Sequence, residues 1–178
     1  PYLLTSKYGA FVSLHRGEEL RGCIGTCFPS QSLYQTTIEM TEAAASRDYR
    51  VLPISEYELQ DIHIEISVLS PLVPVDNALA LEVGKHGVYV TCEGRVGVFL
   101  PQVATQHGWD IRTFLDQVCI KAGVDEEAWK LPETEISYFT SLIIGESRTD
   151  YSLTLTAAIE TTFSALSSLI VTTANAQE

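Results

Sequence analysis

The segment Leu20-Arg21-Gly22-Cys23-Ile24-Gly25 holds the residues best suited to chemistry: a cysteine between two glycines, two residues after an arginine, at the end of a strand-like run. In extended backbone the side chains alternate, so Arg21 and Cys23 are expected on one face and Leu20, Gly22 and Ile24 on the other. A neighbouring guanidinium stabilises thiolate over thiol and also holds an anionic ligand. Gly22 and Gly25 lack side-chain bulk, which lets a ligand or another backbone approach closely. The bland alternative is a cysteine buried on a half-buried strand, since unpaired cysteines are among the most buried residues.

Three further groups could join this centre. On Asp61-Ile62-His63-Ile64-Glu65-Ile66-Ser67-Val68-Leu69 the alternation places Ile62, Ile64, Ile66 and Val68 on one face and His63, Glu65 and Ser67 on the other. Glu65 and His63 are therefore candidate acid or base groups if that strand lies beside Cys23. Asp48 and Arg50 suit either an ion pair fixing a turn or a ligand site. Cys23 and Cys27 have the spacing of a zinc half-site, but no matching second half-site follows, so no metal is expected. His15, His86 and His107 fall in turn or loop sequence and read as solvated residues. Gly22 and Gly25 do not form a phosphate loop, because neither a P-loop lysine nor a GxGxxG pattern accompanies them.

The elements that must position these residues are readable. Ala10 to Leu14 and Glu19 to Ile24 form a predicted hairpin, with Gly17 available for the positive φ of a tight connection. Ser32 and Gln35 have capping-box spacing and open a helix to about Ser46, where Ala43-Ala44-Ala45 permits close packing. Ser55 and Glu58 repeat that spacing before the alternating strand. Pro71 and Pro74 begin a connector running to about residue 80, the expected boundary between two lobes. Gly87 to Cys92 and Arg95 to Leu100 read as a second hairpin terminated by Pro101. From Asp110, a helix carries Ile111, Phe114, Leu115, Val118, Cys119 and Ala122 on one stripe and stops at Gly123, with Trp109 anchoring its start. Glu126 to Lys130 suits one further turn, and Ile136 to Ile144 one more strand. Beyond Glu146, Leu155, Ile159, Phe163, Leu166 and Ile170 keep helical spacing, so 147–178 is expected to be a helical tail.

Composition bounds the function. Of 178 residues, 46% are hydrophobic and 19% charged, which excludes wholesale disorder. With 23 acidic and 11 basic residues the net charge is -12, a surface that repels phosphate backbones, so no nucleic-acid partner is expected. Arg21, Arg47 and Arg50 could still hold a small anion. The four cysteines come without a signal peptide or a cysteine-dense frame, pointing to a reduced, cytoplasmic setting. The longest apolar run, Phe163 to Val171, is too short to span a membrane.

Several motifs, in order, carry a resemblance to a known family. They are Gly9-Ala10-Phe11-Val12-Ser13-Leu14, the Leu20 to Gly25 segment, Glu42-Ala43-Ala44, Arg47-Asp48-Tyr49-Arg50 and Ile64 to Pro71. Gly84-Lys85-His86-Gly87-Val88, Val98 to Ala104, Gly108-Trp109-Asp110, Phe114-Leu115 and Lys121-Ala122-Gly123 follow. From about Tyr8 to Glu146 the chain resembles the AMMECR family, known in prokaryotes as the protein A component of the AmmeMemoRadiSam system. The resemblance implies an α+β fold of two unequal lobes, each a largely antiparallel sheet with packed helices, over residues 1–146. It also implies association with a radical-SAM protein and a Memo-type protein, but no settled reaction, and the cofactors stay unknown. Two readings of function follow: a small-molecule-binding or catalytic component centred on Cys23 with Arg21, or a non-catalytic protein-interaction module. Family members usually carry helical sequence before the Gly9 strand, and the tail has no counterpart among them. A tail helix lying in the groove left by that upstream helix is one expectation, and an unrelated tail is the other.

Overall fold

The computed structural model describes residues 2–145. The expected tail helix, its Leu155 to Ile170 stripe and the groove it would fill lie outside the described residues. In chain order the elements are α1 (Tyr2–Thr5), β1 (Ala10–Arg16), β2 (Glu19–Thr26), α2 (Leu33–Ser46), a 3-10 turn (Glu56–Asp61), β3 (Ile62–Leu69), β4 (Val73–Pro74), β5 (Gly87–Cys92) and β6 (Arg95–Phe99). They continue with α3 (Pro101–His107), α4 (Ile111–Ala122), a 3-10 turn (Ala128–Lys130), β7 (Glu135–Phe139) and β8 (Ser141–Gly145).

Two four-stranded sheets result, in the orders β2-β1-β3-β8 and β4-β7-β5-β6, and every pairing is antiparallel. This is the α+β fold that the resemblance implies. The chain leaves the first sheet at Leu69 and joins the second at Val73, inside the connector expected to divide two lobes, and β8 then returns to the first sheet.

Local chemistry sets the element ends. The Ser32 side chain accepts from the Gln35 N–H to start α2, and Ser55 with Glu58 forms a reciprocal capping box on the first 3-10 turn. Asp110 accepts from the Thr113 N–H at 2.8 Å, and Trp109 before it packs on Phe99 with ring centroids 5.7 Å apart. Gly17, at φ 60°, makes the tight hairpin turn that a β-carbon would strain.

Each sheet buries one apolar face. On the first, Val12 and Leu14 of β1 meet Ala44 of α2, with Met40, Ile62, Ile64 and Ile66 packed around them. The alternation expected of β3 is therefore the one found. On the second, Val88, Val90 and Cys92 face Phe114, Leu115, Val118 and Cys119 of α4. Each such aliphatic or aromatic side chain contributes about 2 kcal/mol by leaving water.

One expectation is extended and one corrected. Pro101 does not merely end the second hairpin; it occupies the first turn of α3, where its missing N–H costs no helical hydrogen bond. The run Ile136 to Ile144 is not one strand. It breaks at Thr140 into β7 and β8, which belong to different sheets.

Candidate functional site

Cys23 lies on β2, an edge strand whose two faces meet different surroundings. On the α2 side, a β-carbon at Gly22 would fall 2.1 Å from the Ala44 carbonyl oxygen. On the opposite side, a β-carbon at Gly25 would fall 2.2 Å from the Phe11 ring. The close approach expected at both glycines is thus made by this chain's own helix and ring, and neither position is open to a ligand.

The pairing of Arg21 with Cys23 is not formed. Leu14 pairs with Gly22 and His15 with Leu20, so Arg21 is the extra residue of a β-bulge, and a bulge breaks the side-chain alternation. Buried Arg21 instead donates through Nε to Glu58 Oε1 at 2.9 Å, and Arg16 Nη1 donates to the same oxygen at 3.1 Å. The Arg21 hydrogen bond lowers the Glu58 carboxyl to about 2, with smaller contributions from the Ser55 backbone and hydroxyl.

Asp48 and Arg50, rather than Arg21, contact Cys23. The Cys23 N–H donates to Asp48 Oδ2 at 2.9 Å, and the Cys23 carbonyl accepts from Arg50 Nη2 at 2.8 Å. Asp48 is buried and also accepts from the Arg50 backbone N–H, Nε and Nη2 at 3.1, 2.8 and 2.6 Å. The Arg50 guanidinium holds this carboxyl well below the usual carboxylate range, against the opposing effect of burial. Two sequence-predicted residues thus hold both the N–H and the carbonyl of Cys23, while the Arg50 side chain stays 48% exposed.

The thiol has its own surroundings. Ser13, opposite Cys23 on β1, donates its hydroxyl to Sγ at 3.3 Å. Lys121 of α4 is anchored on β6. Its Nζ donates to the Val98 carbonyl at 2.7 Å and lies 4.3 Å from the Phe99 ring centroid. Desolvation against these groups lowers the Lys121 ammonium, the Arg50 charge adds to that effect, and Cys23 acts in the opposite sense.

Glu65 and His63 stand farther off. β3 pairs with β1 and not with β2, so Cys23, Ser13 and Glu65 form one row across three strands, and the Cys23 and Glu65 backbones are about 10 Å apart. His63 lies two residues along, opposite His15. Ser67, on the same face of β3, is buried and accepts from Gln102 Nε2 of α3 at 3.3 Å.

The remaining cysteines differ from Cys23. Burial raises the Cys27 thiol to about 11 and also raises Cys119, and Cys92 and Cys119 pack in the core of the second sheet. Among the described residues no group of three or more His, Cys, Asp or Glu side chains could hold a metal ion. None of the described helices is long and apolar enough to cross a membrane.

Sequence reasoning missed Ser13 and Lys121 as site residues. Both lie inside motifs that carried the resemblance, and strand alternation with hairpin pairing would have put Ser13 opposite Cys23. No local signal places Lys121 there, because it arrives from a helix of the second sheet.

Fold and site together define an α+β protein of two antiparallel sheets, with a clamped cysteine on an edge strand of the first. The family model described as AMMECR1 matches residues 1–144. Protein MK0488 of Methanopyrus kandleri is 39% identical over 152 residues, covering 80% of this chain and 73% of its own. A protein of Methanothermobacter thermautotrophicus is 38% identical over 152 residues, covering 82% and 79%. The crystal structure of the uncharacterized protein PH0010 from Pyrococcus horikoshii superposes with a TM-score of 0.79 at 33% identity, covering 83% of this chain and 77% of that one. The chain belongs to the AMMECR1 family.

Proposed function

We propose that the protein is a small-molecule-binding or catalytic component whose working group is Cys23, with Arg50 and Lys121 holding an anionic ligand beside it. The observation that carries this reading is a partly exposed Cys23 whose N–H and carbonyl are held by Asp48 and by the half-exposed Arg50 guanidinium. Adjacent cations favour negative charge on a ligand at that point, such as a carboxylate or phosphate. Arg21, engaged by Glu58, passes the anion-holding role to Arg50 and Lys121. Ser13 fixes the thiol, and Glu65 on the far side of Ser13 is placed to act as acid or base on a ligand lying across that row. The proposal includes a cytoplasmic setting, from the unpaired cysteines, and action beside radical-SAM and Memo-type proteins, from the resemblance.

The test is alkylation by iodoacetamide at neutral pH, read by mass spectrometry. Cys23 is expected to react well before Cys27, Cys92 and Cys119, and inorganic phosphate or small carboxylates are expected to protect it. A Cys23 no faster than the buried thiols contradicts the proposal.

A second reading, a protein-interaction module, has one observation in its favour. Tyr49, Leu52 and Tyr57, on the segment after α2 that also carries Arg50, are 94%, 80% and 89% exposed. Large apolar side chains so exposed suit a partner surface. Copurification of a protein partner that is lost in Tyr49→Ser, with Cys23 inert, would favour this reading over the first.

A further inference from the structure

A separate cavity of about 410 Å³ lies near the ends of β1, β2 and β3, walled by Tyr8, Cys27, Phe28, Pro29 and Pro71 among others, with Lys7 in its lining. Along β2 it is divided from Cys23 by the Phe11 ring packed on Gly25. Its size falls in the range that takes small molecules.

Several backbone and hydroxyl groups of the walls are already engaged. The Leu69 N–H donates to the Gly9 carbonyl at 2.8 Å, and the Thr140 N–H donates to Ser70 Oγ at 3.0 Å. Prolines at two corners limit backbone rearrangement. The Cys27 thiol, raised by burial, stays neutral and carries no charge into the cavity. An occupant must therefore bring an apolar body. Lys7, by contrast, is exposed and makes no ion pair among the described residues; Arg47, Arg95, Arg112 and Lys121 share that state, but of the described cations Lys7 is the one lining this cavity. In a chain of net charge -12 an unmatched ammonium at an apolar cavity marks where an anionic group is welcome.

We propose that this cavity binds a small carboxylic acid with an apolar body, the body between Tyr8, Cys27 and Pro71 and the carboxylate on Lys7. The site is independent of Cys23, so either reading can fail alone. The test uses the full chain, isotope-labelled, titrated with octanoate and with uncharged 1-octanol while amide resonances are followed. Saturable shifts confined to Gly9, Cys27, Phe28 and Leu72 are expected, with octanoate the tighter ligand. Lys7→Glu, an exposed change, should weaken octanoate by at least about fivefold and leave 1-octanol unaltered. Leu72→Trp should fill the cavity and abolish both. Octanoate binding that is indifferent to Lys7→Glu, or shifts that never saturate or fall elsewhere, would overturn the proposal.

Discussion

Cys23 is held less by its side chain than by its peptide, and the group that holds it is a carboxylate with almost no exposure. Asp48 accepts four hydrogen bonds, one from Cys23 and three from Arg50. Asp48→Ala leaves the Cys23 N–H and the Arg50 guanidinium without their acceptor, and a loss of about 3 kcal/mol is expected in urea denaturation. Arg21 behaves differently, because its partner Glu58 is tied to acid stability. The Glu58 carboxyl is lowered from its ordinary 4.5 to about 2 in the folded chain. A carboxyl lowered on folding contributes stability that is complete above its unfolded value and is lost as pH falls through the folded one. Stability is therefore expected to fall between about pH 4.5 and 2, and Asp48, also lowered, adds a loss that extends further into acid. Glu58→Gln should flatten the upper part of that profile, as followed by circular dichroism against pH; an unchanged slope would remove Glu58 from the account.

At the scale of the element, β2 works because α2 presses directly on it. Gly22→Ala places a methyl 2.1 Å from a backbone oxygen, which must move α2 or the strand, so a loss of about 2 kcal/mol and a lower Tm are expected. A variant as stable as the wild type would show that the helix yields freely. The same strand shows how far sequence carries. Period-two alternation told the faces of β3 correctly, and capping residues told the starts of α2 and α4, because these signals are local. The bulge at Arg21 is not local: it depends on how β2 pairs with β1 and on Glu58, 37 residues away. The glycines were read correctly as points of close approach, but which neighbour approaches is decided by packing. Pro101 was legible as a break, and reading it as a helix start required knowing that α3 packs against β5 rather than continuing as loop.

For the described part of the molecule, the return of β8 ties the first sheet to the end of the second. β8 pairs with β3 over five residue pairs and covers its outer edge. Ending the chain at Thr140 would leave that edge open to pairing with another chain, and size-exclusion chromatography should show association or aggregation in place of the intact chain's behaviour. A well-behaved, equally stable truncation would mean that β8 is dispensable. The proposed anion site draws on the second sheet as well, through Lys121 of α4. On that proposal an acidic molecule keeps a cationic point beside one thiol. That claim is tested most directly by alkylating Cys23 with iodoacetate and with iodoacetamide, which differ in charge, in the wild type and in Lys121→Met. Reaction with the anionic reagent should be favoured at Cys23 relative to a free thiol, and Lys121→Met should remove several-fold of that preference. A rate ratio equal to that of a free thiol, or one untouched by Lys121→Met, would contradict the account.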